Sequence, residues 1–125
     1  MIELIVRRYL AEALFVPVRM EMPEHPPDAL VLVEKTGSSE TDHIRRATLA
    51  VQSYAPSLAE AARLNEQVKE QLGRMPAAEQ VFAVRVVSDY NYTDTNTKRY
   101  RYQAVVEAVI EHEKEKNMSL SLIHI

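Results

Sequence analysis

The sequence predicts an α+β domain: an antiparallel sheet of about five strands, in the order α-β-β-β-α-β-β, with two helices packed on one face. Three observations carry this expectation. Apolar residues recur at helical spacing over residues 2–14 and 58–72. Several other segments alternate apolar and polar residues with period two. The links between consecutive strands are short and rich in turn residues, which favours antiparallel neighbours. At 125 residues, 46% hydrophobic and 26% charged, the chain has the size and composition of one globular domain with a single core. That domain is expected over residues 1–112, with a charged extension over 113–125.

The elements follow in order. Ile2, Ile5, Val6, Tyr9, Leu10, Ala13 and Leu14 form the apolar stripe of a first helix, which Pro17 ends. Val16, Val18, Met20 and Met22 alternate with polar residues, which predicts a strand over 16–22; Pro17 puts it at a sheet edge. Residues 24–28, Glu-His-Pro-Pro-Asp, are a turn. Residues 29–35 are apolar on both sides at first, as in a central strand, and Gly37–His43 is a polar loop.

The third strand spans 46–54, with Ala47, Leu49 and Val51 on one side and Thr48, Ala50 and Gln52 on the other. Pro56 ends it, and Ser57 with Glu60 forms an S-x-x-E capping box for the second helix. Leu58, Ala61, Ala62, Leu64, Val68 and Leu72 are its buried stripe; Gly73 is placed as the C′ residue and Pro76 as a stop. A hairpin closes the fold. Phe82, Val84, Val86, Ser88, Tyr90 and Tyr92 share one face of its first arm, and Tyr100, Tyr102, Ala104, Val106, Ala108 and Ile110 one face of its second. The tyrosines near the tip are expected to meet as cross-strand pairs.

Composition narrows the chemistry. The chain has no cysteine, so disulfides, thiolate metal sites and cysteine nucleophiles are excluded. Two glycines leave little room for phosphate-cradling loops. A net charge of −3 does not suit a dedicated duplex-DNA binder. No apolar run reaches the roughly 20 residues that span a bilayer, and the first residues lack the marks of a signal peptide. The tail over 111–117 is too charged to pack. Leu120–Ile125 matches a translated sequencing adapter and is set aside, with the reading frame expected to be truncated.

No catalytic or metal constellation emerges. His25, His43, His112 and His124 lack partners at zinc-ligand spacing and read as surface histidines. Ser38 and Ser39 have no nucleophile-elbow context. Asp89 and Asp94 flank tyrosines on the hairpin, where turn and strand-end roles suffice. Arg45 and Arg46, with Lys98, Arg99 and Arg101 interleaved with Tyr100 and Tyr102, have the composition of a single-stranded nucleic-acid surface. The plainer alternative places these arginines on the solvent side of strands, paired with Glu34, Asp89 or a neighbouring subunit; the acidic net charge favours it.

Several segments, in order, resemble the tail-terminator and tail-completion proteins of long-tailed bacteriophages. They are V-P-V (Val16–Val18), L-V-L-V-E-K-T-G (Leu30–Gly37), R-A-T-L-A-V-Q-S-Y-A (Arg46–Ala55) followed by S-L-A-E-A (Ser57–Ala61), Y-N-Y (Tyr90–Tyr92) and R-Y-R-Y-Q-A (Arg99–Ala104). Together they cover about residues 1–110; the family tip often holds more Pro and Gly than residues 93–98 do.

The resemblance implies a non-enzymatic virion subunit, assembled in the bacterial cytoplasm. It would form a ring, usually a hexamer, on the head-proximal end of the tail tube. Its implied partners are copies of itself, the tail tube protein and a head-completion or connector protein; DNA passes without specific binding, and neither cofactor nor membrane is involved. On this view Arg45, Arg46, Tyr90, Tyr92, Arg99, Tyr100, Arg101 and Tyr102 lie at subunit or partner interfaces, carried on loops 37–46 and 93–99. Glu34, Glu40, Asp42 and Asp94 are candidates to line the lumen. A neck protein of similar fold is a close relative of this reading. A ferredoxin-like small-ligand-binding or regulatory module is the alternative from another class, and an enzyme ranks third.

Overall fold

The computed structural model describes residues 2–79, 81 and 83–111. The elements are α1 (Ile2–Ala13), β1 (Val18–Arg19), β2 (Leu30–Thr41), β3 (Ile44–Ala55), α2 (Leu58–Glu79), β4 (Ala83–Asn91) and β5 (Tyr100–Glu111). They build the expected α+β architecture, a five-stranded sheet in the order β1-β2-β3-β5-β4. The expectations for Phe82, the charged tail and the final hexapeptide fall outside the described residues.

The core is one layer of apolar side chains between the sheet and the helices. Ile2, Ile5, Val6 and Leu10 of α1 meet Val18, Val31 and Val33, and Leu64, Val68, Leu72 and Met75 of α2 meet Leu49, Val51, Ala104 and Val106. Each fully buried Leu or Val contributes roughly 1.5–3 kcal/mol of apolar burial. Small residues in the centre, Ala47, Ala104 and Ala108, let α2 approach the sheet closely.

The sheet is mixed, not wholly antiparallel: β1 runs parallel to β2, with Val18 opposite Val31. The reason lies in residues 20–29. Pro23, Pro26 and Pro27 supply no N–H for a tight hairpin, so the segment crosses back and β2 starts beside β1. The Val31 N–H donates to the Pro17 carbonyl at 2.9 Å. The strand expected over 16–22 therefore shrinks to two residues, and Met20 and Met22 are exposed.

Three further expectations are corrected. The polar loop over 37–43 is strand, closed by a two-residue turn in which Asp42 and His43 have φ of 52° and 67°. Two consecutive left-handed residues make a type I′ turn, whose twist matches the flanking strands. Helix α2 does not stop at Gly73. Gly73 is helical, with no positive φ, and the buried stripe continues through Leu72 to Met75, which holds the helix past Pro76. Leu58 is exposed, and Asn65 takes a buried place on the stripe instead.

At the start of α2, the Glu60 N–H donates to Ser57 Oγ at 3.2 Å. Among the described residues only this half of the capping box forms.

The third correction concerns β4. Val86 pairs with Val106, but Ser88 pairs with Val105, so Val87 is an extra residue. This bulge inverts the alternation of the strand. Val84 and Val86 pack on the core, whereas Tyr90, opposite Gln103, faces away from the helices. Tyr90 and Tyr92 thus leave the face that Val84 shares with Ala108. The tyrosines of the two arms do not pair across strands; Tyr90 and Tyr92 meet along β4, edge to face, with centroids 5.9 Å apart.

Candidate functional site

Among the described residues the helices lie on one face of the sheet, and its other face is where the polar side chains converge. β3 presents Tyr54 and Gln52 there, β5 presents Arg101 and Gln103, and β4 presents Tyr90, with Tyr92 just beyond it. The register brings them side by side: Tyr54 opposite Arg101, Gln52 opposite Gln103, and Tyr90 opposite Gln103.

A chain of hydrogen bonds crosses the three strands. Arg101 Nη1 donates to the Tyr54 hydroxyl at 2.9 Å, and the Tyr54 hydroxyl lies 3.4 Å from Gln52 Oε1. Gln52 Nε2 donates to Gln103 Oε1 at 2.8 Å, and Gln103 Nε2 donates to the Tyr90 hydroxyl at 2.7 Å. Successive donors and acceptors of this kind polarise one another. Over this network lies a column of cations and rings. The Arg99 guanidinium sits 5.1 Å from the Tyr54 centroid, and that of Arg101 sits 5.7 Å from Tyr54 and 4.3 Å from Tyr92. Both distances to Arg101 are within cation–π range. Arg101 Nε also donates to the Tyr92 carbonyl, and Arg99 Nη2 donates to the Pro27 carbonyl at 3.2 Å, which ties the proline-rich segment to the hairpin tip.

Residues 93–99 form that tip. Asp94 bridges to Arg99 through the backbone, and Asp94 Oδ1 accepts from the Asn96 N–H at 2.9 Å. Thr97, then the Asn96 N–H, hold the Asp94 carboxyl below its ordinary value. Lys98 adopts φ of 57°. Beside the tip, Asp28, Ala55, Pro56, Lys98, Arg99 and Tyr100 surround a cavity of about 170 Å³. Tyr102, on the helix-facing side of β5, is half-buried.

The other expected interface residues sit elsewhere. β2 and β3 end in the Asp42–His43 turn, and β3 runs from there to Ala55, which lies opposite Tyr100. The eleven steps of β3 span about 36 Å. The two hairpin tips therefore mark opposite ends of one sheet. Arg45 lies 3.9 Å from Glu40 at the far end, and Arg46 is exposed beside it. The proposed lumen carboxylates divide in the same way: Glu34, Glu40 and Asp42 belong to the β2–β3 hairpin, whereas Asp94 is at the opposite tip. All but half-buried Asp94 are exposed.

Asp89, read from sequence as a strand-end residue, clasps β4 to α2. Its Oδ2 accepts from Lys69 Nζ at 2.8 Å and Asn65 Nδ2 at 2.7 Å. Lys69, then Asn65, hold the Asp89 carboxyl below its ordinary value against the opposing effect of burial, and the Lys69 ammonium is raised in turn by Asp89 and Glu66.

Sequence reasoning missed Tyr54, Gln52, Gln103 and Pro27 as parts of this site. For Gln52 and Tyr54 the signal was present: both continue the Thr48, Ala50 alternation on the side of β3 away from the core. Among the described residues no group of three His, Asp or Glu stands together as a metal site, and no helix is long and apolar enough to cross a membrane. No protein-family model matches the chain, and no curated protein matches it.

Proposed function

We propose that this chain is a non-enzymatic virion subunit that assembles as a ring, expected as a hexamer, on the head-proximal end of a phage tail tube, ending tube growth and allowing head–tail joining. The observation that carries this reading is the placement of the two polar hairpin tips at opposite ends of a single sheet. A cap between two partners needs two axial faces of different chemistry. Here one end offers Lys98, Arg99 and Tyr100 around a cavity, and the other offers Glu40, Asp42, Arg45 and Arg46.

Ring closure needs two further surfaces that differ from each other, because head-to-tail contacts are heterologous. The two sheet edges supply them. Among the described residues β1 covers only Val31 and Leu32 of β2, so the edge of β2 beyond them has no partner strand there, and β4 forms the opposite edge. Next to β1, Phe15 is fully exposed, with Met20 and Met22 also exposed. Apolar side chains of this kind are what subunit contacts cover. The carboxylates of the β2–β3 hairpin suit a wall past which DNA slides, since anionic groups gain nothing from counterion release.

The test is the solution mass of the full chain by light scattering over a range of concentrations, followed by in vitro joining to tail tubes. A six-fold species that blocks further tube growth is expected. Arg45→Glu with Arg46→Glu is expected to abolish joining and leave the monomer folded by circular dichroism. A protein that stays dimeric at all concentrations and leaves tube length unchanged overturns the proposal.

A further inference from the structure

We propose that the open sheet face at the β4–β5 tip is a binding platform for single-stranded nucleic acid, with Tyr92 and Tyr90 stacking bases and Arg99, Arg101 and Lys98 taking phosphates. This goes beyond the capping reading, which uses Lys98 and Arg99 as part of an axial face and gives nucleic acid no site.

Three features point to this ligand class. Arg99 and Arg101 form no salt bridge among the described residues. Asp94 is the carboxylate whose charge feels Arg101, and it lies in a turn where Asn96 and Thr97 already occupy it. Arg99 spends one N–H on Pro27, and Arg101 spends two on Tyr54 and Tyr92, so most of the ten guanidinium donors remain for an anion. Lys98 and Arg99, two cations against the one carboxylate of Asp28, line the 170 Å³ cavity beside them.

The second feature is aromatic. Tyr90 and Tyr92 are 41% and 45% exposed although hydrogen bonds and the Arg101 guanidinium hold them in place. Rigid, exposed rings beside cations are the two components of a sequence-tolerant single-strand surface. The third is position: the rings stand on a sheet face that no helix among the described residues covers, so unstacked bases reach them, whereas bases paired within a duplex do not. An acidic protein segment would use the cations and leave the tyrosine faces idle. The acidic net charge of the chain does not oppose the site, because the exposed carboxylates of Glu40 and Asp42 lie at the opposite end of the sheet.

The experiment is fluorescence anisotropy of a fluorescein-labelled oligothymidylate of about 20 nucleotides, titrated with the full chain. Saturable binding at micromolar protein is expected, weakening as salt rises from about 50 to 200 mM. A duplex of equal length binds more weakly. Tyr92→Ala and Arg99→Gln each weaken binding roughly tenfold, Tyr92→Phe binds like the native chain because stacking is kept, and Arg74→Gln on α2 has no effect. Circular dichroism on each variant separates lost binding from lost fold. Absence of an anisotropy change at about 100 μM protein in low salt overturns the proposal. So does equal affinity for duplex, or Tyr92→Ala binding as tightly as Arg74→Gln.

Discussion

Tyr54 shows how one side chain joins core and surface. It is 4% exposed, yet it accepts a hydrogen bond from Arg101 and lies under two guanidinium groups. Tyr54→Phe keeps the ring and the cation stacking and removes the hydroxyl between Arg101 and Gln52. The expected loss is about 1 kcal/mol, read from the urea midpoint with the slope unchanged. Asp89 makes a different prediction. Its folded pKa lies below the ordinary 3.8, so it stabilises the fold above that value, and the contribution is lost as pH falls through the lower, folded pKa. Lys69 is shifted upward from 10.5, so its share is present below that pH and fades only as pH rises through the raised value. Asp89→Asn is therefore expected to melt below the native chain near pH 7, with the gap narrowing as pH falls below 3.8 and on through the lower, folded pKa; thermal unfolding followed over that descent in pH checks it.

Among the elements, α2 was read from its stripe of Ala61, Leu64, Val68 and Leu72, and the helix is there. Gly73 and Pro76 predict an earlier end because both act as local punctuation, but the tertiary contact made by Met75 outweighs them. Gly73 consequently sits in a helix interior with a Cβ position open to solvent. Gly73→Ala is expected to stabilise the protein by about 0.5–1 kcal/mol, measurable as a rise in denaturant midpoint. The β2–β3 hairpin was hidden for another reason: Gly37–Thr41 has a loop's composition, and only the pairing with β3 makes it strand. The bulge at Val87 leaves no sequence signal that a single chain displays, so regular alternation predicts the tyrosines on the face they do not occupy. The arginines and tyrosines of the tip were legible as a group; the link from Arg101 through Tyr54 to Gln52 required the register.

For the whole molecule, the length of β3 governs how the two tips relate. Substitutions about 26–30 Å apart along it with no shared partners are expected to add. The combination of Arg45→Glu, Arg46→Glu and Tyr54→Phe should therefore change stability by the sum of its parts within roughly 0.3–0.5 kcal/mol, as a double-mutant cycle in urea would show. A deviation of several times that size would mean that the sheet transmits a disturbance along its length. The extra residue at Val87 has a last consequence. It lets one strand serve two layers, with valines inward on one side of it and, beyond it, an aspartate clasped to α2 and tyrosines turned out. Ironing the bulge out with Val87 kept in the ladder would exchange those roles in a single step, turning Asp89 out and Tyr90 toward α2. The outer platform and the inner clasp are thus one hereditary unit: neither can be lost by a change of spacing without the other.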